Sequence, residues 1–106
     1  MEVFEIIVDA NIEKIVEQFM DQYNLHKLLL FGSYAKGKST KRSDIDLCVV
    51  AETDNKRSLL TDMYVNIESD KPFDILLYTP SEWDSCKEDH TSFAYIISKE
   101  GVVIYG

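Results

Sequence analysis

Two short apolar runs, Lys27–Phe31 (KLLLF) and Ile45–Val50 (IDLCVV), flank a stretch, residues 33–43, that contains almost nothing apolar. That interruption constrains the fold more than any other feature of the chain. Apolar runs this short read as buried strands, because a buried helix needs a longer segment. The polar stretch between them has to lie at the surface, with room for one helical turn from Ser33 closed by Gly37. The same segment carries two phosphate-handling patterns at once. Gly32 to Ser39 (GSYAKGKS) fits the phosphate-loop pattern G-x-x-x-x-G-K-[ST], while Gly32-Ser33 followed by Asp44-Ile45-Asp46 spells a Gly-Ser turn paired with a D-x-D carboxylate set. Both patterns place a nucleotide here, with different folds and different chemistry.

A phosphate loop works only if its glycine-rich turn feeds directly into a helix whose first amides cradle the phosphates. After Ser39 the chain reads Thr40-Lys41-Arg42-Ser43-Asp44 and then enters the second apolar run. There is no apolar stripe for such a helix to bury, so the phosphate-loop reading fails. The carboxylate reading gains from strand geometry. Side chains at i and i+2 share a face, so Asp44 and Asp46 project together where the second strand begins. Close carboxylates raise one another's pKa, and burial adds to the shift, unless a cation intervenes. Hard oxygen ligands of this kind suit Mg²⁺, which takes one or two carboxylates together with substrate phosphates. A solvated acidic turn is the plain alternative for a D-x-D on its own.

A third carboxylate weighs against that alternative. Asp74 lies within the apolar run Phe73–Tyr78 (FDILLY), where an ionised side chain is costly unless it is paired or metal-bound. Leu59, Leu60, Met63 and Ile67 mark a helix of about 55–69 between the second and third runs, and a helical crossover normally joins parallel neighbours. Parallel strands begin at the same end of a sheet. Asp44, Asp46 and Asp74 then meet at one edge, and a first strand running antiparallel delivers Ser33 to it.

The remaining pattern completes a one-domain α/β chain, residues 1–106, with helices packed on a small mixed sheet. Ile12, Ile15, Val16, Phe19, Met20 and Tyr23 recur at helical spacing over 11–23, with Asn11 as the expected cap. Ser81 is the expected cap of a short helix carrying Trp83. Ser92–Lys99, with Phe93, Ile96 and Ile97 on one face, forms a last helix that Gly101 ends, and Val102–Tyr105 is an edge strand. Residues 2–8 are apolar enough to pack, with no element assigned. The length of 106 residues, with 45% apolar and 28% charged side chains, fits one ordinary globular domain.

The net charge of −8 argues against a chain built to grip duplex nucleic acid, which calls for a basic face. Lys36, Lys38, Lys41 and Arg42 form a small basic island on the scale of one triphosphate; a solvated, charged loop is its simpler reading. No run approaches the ~20 apolar residues of a membrane span, and the acidic N-terminus is not a secretory signal, so a cytoplasmic location is expected. Cys48 reads as a small buried hydrophobe and Cys86 is far from it. His26 and His90 lack metal-ligand spacing and belong at the surface or at helix ends.

Taken together, Leu30-Phe31-Gly32-Ser33-Tyr34-Ala35-Lys36-Gly37, Ser43-Asp44-Ile45-Asp46-Leu47 and Phe73-Asp74-Ile75 resemble the minimal nucleotidyltransferases, a branch of the DNA polymerase beta-like nucleotidyltransferase superfamily. The resemblance covers essentially the whole chain and implies the polymerase beta palm-like fold. It implies that Gly32, Ser33 and neighbouring amides hold the β- and γ-phosphates of ATP, with Lys36 and Arg42 as further nucleotide contacts. Lys36 stands where the family commonly has arginine, which keeps the charge and loses the bidentate fork. Asp44 and Asp46 would bind two Mg²⁺ ions, and Asp74 would complete the second site and help deprotonate an attacking hydroxyl. Larger relatives carry a further domain for the acceptor, and this chain has no residues left for one, which favours a protein partner. Many members of the resembling family are antitoxins of HEPN-type RNase toxins and transfer AMP to a toxin hydroxyl, typically of tyrosine. Neutralisation by stoichiometric binding is the alternative, and modification of a small molecule such as an aminoglycoside is a third, weaker reading.

Overall fold

Asp9 starts the first helix of the computed structural model, which describes residues 9–106; the apolar segment 2–8 lies outside the described residues. Its carboxylate accepts from the Asn11 and Ile12 amides, so α1 spans Ala10–Gln22 and Asn11 lies inside the first turn rather than at the cap. An aspartate there satisfies two of the amides that a helix start leaves without partners. Ile12, Ile15 and Phe19 form the buried stripe.

Strand β1 (Lys27–Phe31) follows, then β2 (Ile45–Val50), helix α2 (Lys56–Asn66) and strand β3 (Phe73–Tyr78). Helix α2 is shorter than its apolar spacing predicts. The Gln18 side chain donates to the Glu68 carbonyl at 2.7 Å and accepts from the Glu68 amide at 2.7 Å, which draws that backbone out of helical register just past Ile67. Helix α3 (Pro80–Cys86) starts from Thr79 and not from Ser81: Thr79 and Glu82 form a reciprocal capping box, and Pro80 sits at the first helical position. Ser92 caps α4 (Phe93–Glu100) instead of forming its first residue, and Gly101 ends it, as expected, ahead of β4 (Val102–Tyr105).

The strands form one sheet in the order β3-β2-β1-β4, which places β4 at an edge. β1 runs antiparallel to β2 and β4, and β2 runs parallel to β3 through the α2 crossover, as expected. Alternation along the strands divides the core between the two faces. Leu28, Leu30, Leu47 and Val49 pack with α1 and α2, together with Met63. Leu29, Cys48 and Val50 pack with Trp83, Ala94 and Ile97 of α3 and α4. No helix among the described residues is long and apolar enough to cross a membrane.

Candidate functional site

The parity that sorts the core also places the carboxylates. Asp46 shares the strand face of Cys48 and Val50, and Asp74 shares that of Leu76 and Tyr78, so both belong to the α4 side of the sheet. They are direct register partners in the parallel β2–β3 pair, and Asp46 is also the partner of Phe31 at the end of β1. Asp44 immediately precedes β2 with the same parity. The three carboxylates therefore gather where β2 and β3 begin and β1 ends, next to the Gly32–Gly37 turn.

That turn has the geometry its glycines predict. Lys38 donates to the Ser33 carbonyl at 2.9 Å and Gly37 to the Tyr34 carbonyl at 3.4 Å, with Gly37 at φ +69°, which is the paired closure of a helical turn by a left-handed residue. Gly32 is required twice over. Its φ is +76°, and a Cβ there would collide with the Asp46 carboxylate. The turn backbone and the Asp46 carboxylate thus meet at a residue that has no side chain. The stretch 33–43 is less exposed than its composition predicts: Tyr34 and Ala35 pack against the main core. The rest is tethered from the α2–β3 loop, where Lys71 lies over the Tyr34 ring and reaches the Lys41 carbonyl at 3.3 Å.

Electrostatics single out Asp46. Desolvation raises its pKa above the ordinary carboxylate value, and the negative charges of Asp74 and Asp44 push it further in the same direction. Asp74 itself is exposed, contrary to the expectation of an aspartate buried in an apolar strand. The reason is position: β3 is an edge strand, and Asp74 sits near its open beginning. Among the described residues no three His, Cys, Asp or Glu side chains close tightly on one point as a metal cage. The carboxylates are close enough for Asp74 and Asp44 to act on the charge of Asp46. Their chemistry nevertheless fits Mg²⁺, which needs one or two carboxylates when phosphate oxygens and water complete its octahedron.

Of the other expected contacts, Gly32 and Ser33 lie beside the carboxylates. Lys36 is on the same turn, and its ammonium pairs with Glu100 at 3.1 Å. Arg42 is exposed on the outer loop, where its backbone amide donates to the Thr40 hydroxyl. Cys48 is buried and Cys86 half-buried, both free thiols, and His26 and His90 are exposed, as their spacing predicts.

A cavity of about 430 Å³ opens beside Asp46, and the sequence does not announce it. Phe31, Leu76, Phe93, Ile96 and Ile97 form apolar walls, while Gly32, Lys36, Asp46 and Glu100 close it on the polar side. Phe31 and Phe93 meet edge to face at 5.4 Å. The helical spacing of Phe93, Ile96 and Ile97 suggests a core face, but only Ile97 of the three is buried; Phe93 and Ile96 are 51% and 45% exposed. Nothing local in the sequence ties Glu100 or Phe93 to a turn some sixty residues earlier.

Comparison with known proteins bears on the family and the fold. The family described as "Polymerase beta, Nucleotidyltransferase" matches residues 13–106. A protein of Methanocaldococcus jannaschii carrying the name "Putative protein adenylyltransferase MJ1305" is 40% identical over 53 residues, which cover 50% of this chain and 35% of that protein. The matches span 35% and 50% of the length of two such relatives, so the chain is matched over about a third of one and half of the other. A crystal structure of a "putative nucleotidyltransferase from Sulfolobus solfataricus" has the same fold, with a TM-score of 0.63, 21% identity, and coverage of 99% of this chain and 87% of that one. A second, a toxin-antitoxin with AMP-PNP, aligns with a TM-score of 0.52 and 24% identity over 89% of this chain and 72% of that one.

Proposed function

The chain belongs to the polymerase beta nucleotidyltransferase family, and from that premise we propose that it transfers AMP from ATP to a side-chain hydroxyl of a HEPN-like toxin and so serves as that toxin's antitoxin. The observation that carries this reading is the convergence at Asp46: Asp74 stands beside it in register, and Gly32 packs against its carboxylate with no side chain between. Two relationships support the choice of substrate and partner. The Methanocaldococcus relative bears the name of a protein adenylyltransferase, and a toxin-antitoxin solved with an ATP analogue shares the fold.

Within this reading the Gly32–Ser33 backbone holds the β- and γ-phosphates, and Lys36 and Arg42 add positive charge along the same loop. Asp44 and Asp46, with Asp74 completing the second set, would hold two Mg²⁺ ions, which would supply neutralisation of the triphosphate and activation of the acceptor oxygen. Asp74, exposed at the sheet edge, accepts the proton of the acceptor hydroxyl. That oxygen bonds to the α-phosphorus, the bond from the α-phosphorus to the bridging oxygen breaks, and pyrophosphate leaves. The half-exposed Phe93 and Ile96 beside the site favour a second component, direct binding of the partner. Incubation with ATP, Mg²⁺ and the partner is expected to add one or more AMP masses to the partner, and Asp44→Asn is expected to abolish the addition. An unmodified partner would sink the catalytic claim. Full neutralisation by Asp46→Asn in cells would leave binding alone as the activity.

A further inference from the structure

Lys36 extends from the Gly32–Gly37 turn, lines the apolar cavity and meets Glu100, the last residue of α4, at 3.1 Å. Both ends of this contact are anchored. The Lys36 amide donates to the Gly32 carbonyl at 3.2 Å, which fixes its Cα one turn beyond the glycine. Glu100 precedes Gly101, where an added Cβ would lie 2.6 Å from the Ile97 carbonyl and 3.1 Å from that of Leu30, so the α4–β4 junction is seated directly on β1. The side chains themselves are about half exposed, 52% for Lys36 and 53% for Glu100.

From this geometry we propose that Glu100 is a displaceable counter-ion for Lys36 that sets the affinity of the turn for a triphosphate. The inference rests on the nucleotide reading above. In the structure the carboxylate occupies the ammonium that a phosphate on Gly32–Ser33 would call upon, and it adds a negative charge where a triphosphate brings several more. The balance of energies makes the contact a latch and not a lock. A half-exposed ion pair contributes little, while an ammonium–phosphate bond is charge-assisted and about twice as strong as a neutral one. A triphosphate therefore wins Lys36 from Glu100, at the cost of the pair and of leaving a carboxylate nearby. Glu100 acts through Lys36; it is a positioning residue and does not contact the reacting atoms.

The test is calorimetric titration of ATP and, separately, inorganic tripolyphosphate, at fixed ionic strength, into four proteins: the natural chain, Glu100→Gln, Lys36→Met and the double variant. Glu100→Gln is expected to tighten both ligands about two- to fivefold, the scale of a half-exposed pair, and the gain is expected to vanish in the Lys36→Met background. A general charge effect would survive in that background and overturns the proposal, as does a Glu100→Gln protein that binds no better than the natural chain. Glutamine keeps the size and helix preference of glutamate, and a thermal melt run alongside reports any loss of fold. If the natural chain binds ATP and Glu100→Gln changes nothing, the latch falls and the nucleotide reading stands. If neither protein binds either ligand, both fall. Binding by Glu100→Gln alone supports the latch in its strongest form.

Discussion

Asp46 and Asp74 stand side by side across the parallel β2–β3 pair, and Gly32 meets the Asp46 carboxylate from the third side. Asp74 is exposed while Asp46 is half-buried, so the two carboxylates have different environments and are suited to different tasks. In the proposed reaction the exposed one would meet the acceptor. The half-buried one has its pKa raised by desolvation and by its neighbours' charges, a repulsion that a cation would relieve.

We predict that Asp74→Asn lowers the rate of AMP transfer at least ~100-fold, the scale of a lost general base, while the protein stays folded. Removing one of three clustered negative charges leaves the melting temperature unchanged or raises it. Single-turnover transfer of labelled AMP and a thermal melt check the two halves. A rate within a few-fold of the natural protein would take Asp74 out of the chemistry.

The two left-handed glycines should respond differently to the same substitution. Gly37→Ala places its Cβ in open space, so only the backbone penalty of about 1–2 kcal/mol applies. Gly32→Ala carries that penalty and also drives a methyl group into Asp46. Denaturant unfolding is expected to rank Gly32→Ala as the more destabilised, with transfer lost in Gly32→Ala and retained in Gly37→Ala. Equal losses in both would mean that the approach to Asp46 is unimportant.

Cys48 offers a test of the core. Burial pushes its thiol from 9.0 up to about 12, while Cys86 is half-buried. Iodoacetamide at pH 8 is expected to add one group, on Cys86, and a second only after denaturation. The sign of the linkage follows: the folded chain keeps a proton that the unfolded chain releases. The stability from this group is whole below pH 9.0 and is lost as pH rises toward about 12. Rapid double labelling of the native protein would contradict the packing of β2 against α3 and α4.

Tyr23 donates to the Asp62 carboxylate, joining the residue that follows α1 to α2, and burial together with that acceptor raises its pKa to about 12. Tyr23→Phe is expected to cost roughly 0.5–1.5 kcal/mol in urea unfolding, the usual net contribution of one hydrogen bond, with transfer unaffected. The difference between the two proteins should be whole below pH 10.0, the ordinary tyrosine value, and shrink as pH rises toward about 12. A pH-independent difference would point to lost packing instead.

Much of the site is legible because its rules are local or periodic. Gly32-Ser33 and Asp44-Ile45-Asp46 are read within fifteen residues, and the strand period of two assigns Asp44 and Asp46 to one face. Asp74 joins them through the right of a crossover helix to connect parallel strands, which is the rule that β2–α2–β3 obeys. The errors lie where a distant group decides. Asn11 and Ser81 lose their caps to Asp9 and Thr79, each two residues upstream. The predicted end of α2 yields to the Gln18–Glu68 pairing from another helix. Asp74 is exposed because β3 lies at the sheet edge, a position that no window of sequence specifies.

The sequence by itself determined the order of helices and strands, the shared face of Asp44 and Asp46 and the Gly32-Ser33 turn ahead of them. These follow from backbone geometry and hydrophobic periodicity, which act over a few residues. The tertiary structure alone decided that Glu100 reaches Lys36, and that Phe31 and Phe93 meet in the wall of a cavity beside Asp46. Those outcomes depend on how α4 seats on the sheet, which leaves no local mark in the chain.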